Sequence, residues 1–431
     1  MNKPTIRNFL SEHLKTAGQL WEEIRPVKTP VDRWLGNYFH QFRKRFGSRD
    51  RRFFSETIYG LFRHRSLIEA WAASLDCQNP EVLVLLIAAR EGLISEEEFA
   101  REIKGRLKTD AAVLFAQLRS GNPPPEIKIN SPEEELALRY SFPLWLVRRW
   151  YKRFGEERCV SLLMSLCARP PLVIRVNPLK ISREKLLERF RSQGHDANPT
   201  PVSPYGIRFR ERANLFDSEE FRSGFFEVQD EGSQRVCLEI GARPGERIWD
   251  VCAGGGGKTL LLAAMMQNKG RIIATDIRAG KLDELRKRGR RAGISIIFPA
   301  DLNRLDESRE MKAGMDRILV DAPCSGSGTL RRNPDAKWKL QEEHLLKFQT
   351  DQLAIMETSA PRLKAGGLLY YVTCSLEPEE NDEVIRLFLE RHPEFENVPV
   401  DSRDPFFRLF PDRDETDGFF MAVLRKSPKP L

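Results

Sequence analysis

The chain has 431 residues, enough for two or three domains that each bury a core, and its composition is that of a soluble globular protein. Seventy Lys and Arg against 62 Asp and Glu give a formal charge of +8, and a pI near 9.1 favours a polyanionic partner. The seven cysteines, an odd number without C-x-x-C spacing, argue against a disulfide framework, and the six scattered histidines give no reason to expect zinc. The amino-terminal residues hold no apolar signal core, and the longest apolar run, Val82 to Ala89, is too short to cross a bilayer, so a cytoplasmic protein with no membrane partner is expected.

From Thr5 to about Leu118, apolar residues recur at helical spacing, which predicts an all-α region spanning residues 1–122. Within it, Arg43 to Phe54 interleaves basic and aromatic side chains, a pattern suited to contacting phosphate and stacking on RNA bases; the competing reading is a solvated helix face whose phenylalanines are core. Gly121-Asn122-Pro123-Pro124-Pro125 cannot continue a helix, because consecutive prolines lack backbone donors. It marks a linker. Ser131-Pro132-Glu133-Glu134-Glu135 then carries helix-start chemistry. Leu172 to Val176 and Gly206 to Phe209 read as strands around a helix at Ser182 to Arg191, so residues 123–228 are expected to hold the linker and a small α+β subdomain. Beyond it, residues 229–431 alternate strands with helices: Arg247 to Val251, Arg271 to Thr275, Ile294 to Phe298, Met315 to Val320 and Leu368 to Val372. This alternation implies a mostly parallel sheet covered on both faces.

Ligands in such sheets bind at the carboxyl ends of the strands. The first strand leads into Asp250-Val251-Cys252-Ala253-Gly254-Gly255-Gly256-Gly257-Lys258-Thr259, a turn that lets backbone amides approach a cofactor. A P-loop would need glycine where Cys252 stands, and the dinucleotide pattern G-x-G-x-x-G is not met from Gly254 or Gly255. S-adenosyl-L-methionine, whose carboxylate makes looser demands on glycine spacing, remains the best fit, with NAD weakened and ATP hydrolysis weaker still. Asp276 ends the second strand run, where it would accept the ribose hydroxyls, and Asp301 ends the third, suited to the adenine amino group. Helix capping is the alternative role for either carboxylate.

Two further strand runs end in cysteines, in Asp321-Ala322-Pro323-Cys324-Ser325-Gly326 and in Thr373-Cys374-Ser375. Cytosine C5 is a poor nucleophile. Its methylation needs a thiolate adding at C6 to turn the ring into an enamine, and afterwards a base and a route to expel the sulfur. Two thiols at one edge suit that sequence of steps. Asp321 would favour the addition from the ring's N3 and amino side, and Lys258 would orient the base.

These segments resemble the S-adenosylmethionine-dependent RNA (cytosine-5)-methyltransferases. Gly47 to Arg52, Trp145-Leu146, Arg175-Val176-Asn177, Val228 to Glu231 and Thr416 to Phe420 are similar to the bacterial branch that acts on 16S ribosomal RNA. The resemblance implies a Rossmann-like class I methyltransferase domain, preceded by an RNA-recognition-like subdomain and a NusB-like helical domain. It also implies that Cys374 is the nucleophile and Cys324 assists release, with Asp321 and Lys258 contacting the cytosine. RNA, with 16S ribosomal RNA the foremost candidate, is the implied partner, and a monomer is expected. Where the family loop carries Ala-Pro-Gly-Gly-Lys-Thr, this chain has four glycines before Lys258, and Gly255 replaces the proline. The alternatives are a transfer-RNA methyltransferase, an RNA-binding ribosome-assembly factor with a non-catalytic scaffold, and a DNA methyltransferase using Cys324 as nucleophile.

Overall fold

The computed structural model describes residues 6–211, 214–302, 305, 309–400 and 404–428. Its contacts divide the chain into two compact units, one of residues 1–169 with 330–342, the other of residues 170–329 with 343–431.

The first unit is helical. Its central helix, Pro80–Arg90, is apolar on all sides and buried from Val82 to Ala89, so neighbours must cover it completely. Ile6–Ile24 and Ser48–Arg63 supply part of that cover through Leu14, Ala17, Ile58 and Leu61. Each fully buried leucine or isoleucine contributes about 1.5–3 kcal/mol. Asn79, Ser95 and Ser131 cap their helices with side-chain oxygens, the last at the predicted helix start.

The helical unit continues beyond the proline linker to Arg169, past the boundary at residue 122 expected from sequence. Hydrogen bonds explain the continuation: Trp71 Nε1 donates to the Asn122 carbonyl at 3.0 Å, and the Leu67 amide donates to Ser141 Oγ at 3.1 Å. Leu330–Glu342, distant in sequence, joins the same unit, with Trp338 Nε1 donating to the Phe62 carbonyl at 2.7 Å. In the basic segment, Phe46 and Phe54 are core and Phe53 is half-buried. Arg51 is turned inward onto the carbonyls of Phe46 and Arg43, which leaves Arg43, Lys44, Arg45, Arg49 and Arg52 exposed. The phenylalanines Phe46 and Phe54 thus follow the core reading, while the exposed basic side chains are compatible with either reading.

The second unit begins with a four-stranded antiparallel sheet in the order β2-β3-β1-β4, from β1 (Leu172–Val176), β2 (Ala197–Pro199), β3 (Gly206–Phe209) and β4 (Phe226–Val228). The helix Arg183–Ser192 packs Leu186, Leu187 and Phe190 on it. The larger sheet contains β5 (Arg247–Asp250), β6 (Arg271–Ala274), β7 (Ile297–Pro299), β8 (Met315–Asp321), β9 (Leu363–Thr373), β10 (Phe395–Asn397), β11 (Phe407–Leu409) and β12 (Phe419–Lys426). Its order is β10-β12-β9-β8-β5-β6-β7, with β11 also on β12. From β7 through β9 the pairs are parallel; β12 runs antiparallel to β9. Apolar side chains alternate between two core layers, so the parallel strands carry near-continuous apolar runs. Strand order reverses between β5 and β8, and a crevice opens there at the carboxyl ends.

Candidate active site

Every site residue expected from sequence lies at or just beyond the end of one of these parallel strands. Cys252 and the glycine turn follow β5, Asp276 follows β6, Asp301 follows β7, Asp321 and Cys324 end and follow β8, and Cys374 follows β9. Because β8 and β9 pair in register, with the Ala322 amide donating to the Val372 carbonyl at 2.9 Å, the two cysteine loops leave the sheet side by side. Cys324 Sγ and Cys374 Sγ are 3.4 Å apart. The hydrogen bond to Cys374, then burial, holds the Cys324 thiol well above its usual range. The two thiols are within hydrogen-bond distance, and either can be the donor.

Lys258, in the first turn of the helix Gly257–Met265, donates from Nζ to Asp321 Oδ2 at 2.7 Å. Burial opposes its charge, but the Asp321 carboxylate outweighs burial and raises the lysine above its ordinary value. Phe419 covers it at 5.1 Å from the ring centroid. The Phe419 segment is brought in by a close backbone approach: the Gly418 amide donates to the Gly328 carbonyl at 2.9 Å, and a Cβ on Gly328 would lie 2.8 Å from Gly418 Cα. Two motifs about ninety residues apart in sequence therefore require glycine at their crossing.

The cofactor turn has two left-handed residues, Gly254 (φ 53°) and Gly256 (φ 82°); a Cβ on Gly256 would strike Leu285 Cδ1 at 2.0 Å. Asp276 Oδ2 accepts from the Gly254 amide at 3.0 Å, and Oδ1 accepts from the Arg278 amide at 2.8 Å. Asp276 therefore shapes the turn as well as facing the cavity beside it. That cavity, roughly 650 Å³, is lined by Cys252, Asp276, Ile277, Leu302, Pro323 and Ile355, among others. Burial pushes the Cys252 thiol up, so it lines the wall as a neutral group. Asp301 is exposed two residues beyond β7, at the same edge, and the adjacent Leu302 forms part of the wall. Beneath the turn, Asp250 Oδ2 accepts from Thr259 Oγ1 at 2.6 Å, while buried Oδ1 has no hydrogen-bond partner among the described residues. Burial pushes this carboxyl up to about 7.

Sequence reasoning missed what holds the turn. Arg288 Nη1 donates to the Gly255 carbonyl at 2.7 Å, and buried Arg175, from β1, donates to the Gly257 carbonyl at 2.5 Å. Glu227 fixes Arg288 at 3.1 Å, and Gln229 accepts from Arg175. An arginine inside an apolar strand, Leu172 to Val176, was the one local signal for this arrangement. Glu380, Ser325 and Ser375, behind the thiols, carried no comparable signal.

The strand order and the position of the crevice define a class I methyltransferase fold. Residues 238–425 match the family model for 16S rRNA methyltransferase RsmB/F, and residues 142–215 match the RsmF/B-like ferredoxin-like domain. The chain is 32% identical over 311 residues to the probable ribosomal RNA small subunit methyltransferase B of Bacillus subtilis, covering 69% of each protein. The crystal structure of PH0851 covers 99% of this chain and 100% of its own, with a TM-score of 0.74 and 27% identity. A methyltransferase homolog protein from Pyrococcus horikoshii covers 69% of this chain and 100% of its own, with a TM-score of 0.61 and 30% identity. The chain belongs to the RsmB/F family of 16S ribosomal RNA methyltransferases.

Proposed function

We propose that the protein transfers a methyl group from S-adenosylmethionine to C5 of a cytosine in RNA, with 16S ribosomal RNA as substrate, through a covalent adduct between Cys374 and C6. The observation that carries this reading is the pair of sulfurs 3.4 Å apart at adjacent strand ends, beside the Lys258–Asp321 pair at 2.7 Å. The family and the relatives named above support ribosomal RNA as substrate.

The residues present fit the methyl donor. The left-handed turn leaves room for a close backbone approach, Asp276 stands beside the cavity, and Asp250 Oδ1 is a buried acceptor without a partner among the described residues. When bound, S-adenosylmethionine supplies an electrophilic methyl group. The chain's own residues do the rest. Cys374, its thiol proton given up to solvent, bonds through Sγ to C6, and the C5–C6 π pair moves to C5. Lys258 offsets the negative charge that develops on the ring, while Asp321 accepts from the exocyclic amine. After methylation a solvent base takes the C5 proton, the C5–H electron pair restores the C5–C6 double bond, and the Sγ–C6 bond breaks with its electrons returning to Cys374; Cys324, in contact with that sulfur, assists the release. A stacked cytosine hides C6, so the target base is single-stranded or flipped out.

The test is nucleoside mass spectrometry on unmodified small-subunit ribosomal RNA incubated with the protein and methyl-labelled donor, with Cys374→Ala alongside. Labelled 5-methylcytosine from the wild type alone is expected. Label at full rate from Cys374→Ala would remove the assigned nucleophile, label on transfer RNA alone would reassign the substrate, and absence of donor binding would favour a scaffold. Cys324→Ala should accumulate a protein–RNA adduct that survives denaturation.

A further inference from the structure

Glu380 is fully buried in the turn Pro378–Glu380, which follows the Cys374 loop. A buried carboxylate is costly unless its oxygens are satisfied, and the donors it has found are specific. The Ser325 amide donates to Oε1 at 2.8 Å, and Ser325 Oγ donates to Oε2 at 2.5 Å. Ser375 Oγ also donates to Oε2, at 2.5 Å. These serines are the residues immediately after Cys324 and Cys374, and their hydroxyl oxygens are 3.1 Å apart. From the other side, Gln352 Nε2 donates both to Glu380 Oε1 at 3.0 Å and to the carbonyl of Pro323, the residue before Cys324, at 2.9 Å. The turn is tied back to β9 by Tyr371, whose hydroxyl donates to the Glu380 carbonyl at 2.6 Å.

One side chain therefore joins the two loops that carry the sulfurs, at positions adjacent to both. The sheet ladder brings the loops together as far as Ala322 and Val372, and its pairing does not extend to residues 324 and 374. Beyond the ladder, direct bonds join the loops, among them the Gly328 amide to the Cys374 carbonyl at 2.9 Å, the Leu376 amide to Ser327 Oγ at 2.7 Å and Ser327 Oγ with Ser375 Oγ at 3.3 Å, and the Glu380 bridge adds a shared carboxylate at the residues next to the two sulfurs.

We propose that Glu380 is a positioning residue of the two-thiol centre, holding Ser325 and Ser375 on one carboxylate so that Cys324 and Cys374 present their sulfurs side by side to a single substrate base. The proposal rests on the reading that both thiols act on one cytosine. Glu380 itself touches no reacting atom; it acts through the two serines. Burial, the larger influence, holds its carboxyl above the ordinary carboxylate range, and the serine bonds offset part of that rise.

The experiment compares full-length wild type, Glu380→Ala and Glu380→Gln by three readouts: methylation kinetics, thermal melting, and cross-linking of Cys324 to Cys374 by dibromobimane, mapped by peptide mass spectrometry. For Glu380→Ala, kcat is expected to fall on the order of 100-fold with KM for RNA nearly unchanged, and the cross-link yield about tenfold. Glu380→Gln keeps one acceptor oxygen for the Ser325 amide and should recover much of both. If Glu380→Ala fails to fold, Ser325→Ala combined with Ser375→Ala removes both hydroxyl bonds to Oε2, leaves the Ser325 amide on Oε1, and should lower the cross-link yield about threefold. A folded bridge-deleted variant that cross-links as fast as wild type overturns the proposal. Cross-linking needs neither RNA nor methyl donor. A loss of cross-link in Glu380→Ala thus supports the clamp even in a protein that proves inactive on cytosine, an outcome that would defeat only the reaction.

Discussion

The glycine turn and the two-thiol crevice lie on the same sheet edge and are held by opposite means. Between Gly254 and Gly257 the turn has no side chains, so its shape is imposed from outside by Arg175 and Arg288 on its carbonyls and Asp276 on an amide. The crevice is held from within: its cysteines follow paired strands directly, and their own neighbours, Ser325 and Ser375, share a buried carboxylate. A loop whose conformation is borrowed from distant side chains should fail gradually and chiefly in cofactor affinity. One built from strand ends should fail steeply and in the chemical step.

Lys258 belongs to both regions, and its loss should have the largest effect. Lys258→Ala is expected to lower kcat by on the order of 10²–10³, the usual scale for removing a charge aimed at a developing anion, while donor affinity changes little. Steady-state methylation with separate titrations of RNA and donor checks this; a pure KM effect would place the lysine in binding instead. Asp250 comes next. Its folded-state value, about 7, lies above that of an exposed aspartate, so the folded protein holds this proton longer than the unfolded chain. The stability it contributes is complete at pH below about 4 and is lost as pH rises through about 7, by on the order of a few kcal/mol. Denaturant melts from pH 5 to 8 should show a falling component for wild type that Asp250→Asn removes; parallel profiles would rule out a buried, raised carboxyl.

Arg288→Ala should raise the dissociation constant for donor about five- to tenfold, the value of one charge-assisted hydrogen bond, and leave the Cys324–Cys374 cross-link intact. Isothermal titration separates that outcome from a general loss of fold. The smallest effect is expected from Gly255→Pro. A Cβ there would meet the side-chain ends of Glu284 and of Arg288, at 2.8 and 3.1 Å, and a proline restricts Gly254, which is left-handed. The gain in unfolded-state entropy and the local strain should nearly cancel, within about 1 kcal/mol. The informative variant is the double one: Gly255→Pro should restore part of the donor affinity lost in Arg288→Ala if both devices stiffen the same turn.

Much of this arrangement was legible in the sequence because it is local. Buried strands declare themselves as apolar runs bounded by turn residues, and β5, β6, β8 and β9 fall within the predicted runs or extend them by a few residues. A residue one to three positions beyond such a strand must lie at the sheet edge, so Cys252, Asp276, Cys324 and Cys374 could be placed before any contact was known. The antiparallel strand β12 was not assigned, because Phe419 to Leu424 is buried on both faces and loses the alternation that marks a half-exposed strand. The packing of residues 123–169 against the helices before them was not legible, because backbone chemistry shows that prolines stop a helix but not whether the chain beyond them stays packed against it.

By itself the sequence determined the order of the parallel strands and the helices between them, the glycine turn, and which thiols and carboxylates reach the carboxyl edge of the sheet, since each follows from backbone preferences and burial within a few residues. The tertiary structure alone decided that the sulfurs stand 3.4 Å apart, that Lys258 pairs with Asp321, that two arginines hold a loop without side chains and that Glu380 joins both cysteine loops. Hydrogen-bond partners across the crevice come from segments tens of residues apart, and which donor meets which acceptor is set by how packed elements bring them together. No local pattern in the chain records that geometry.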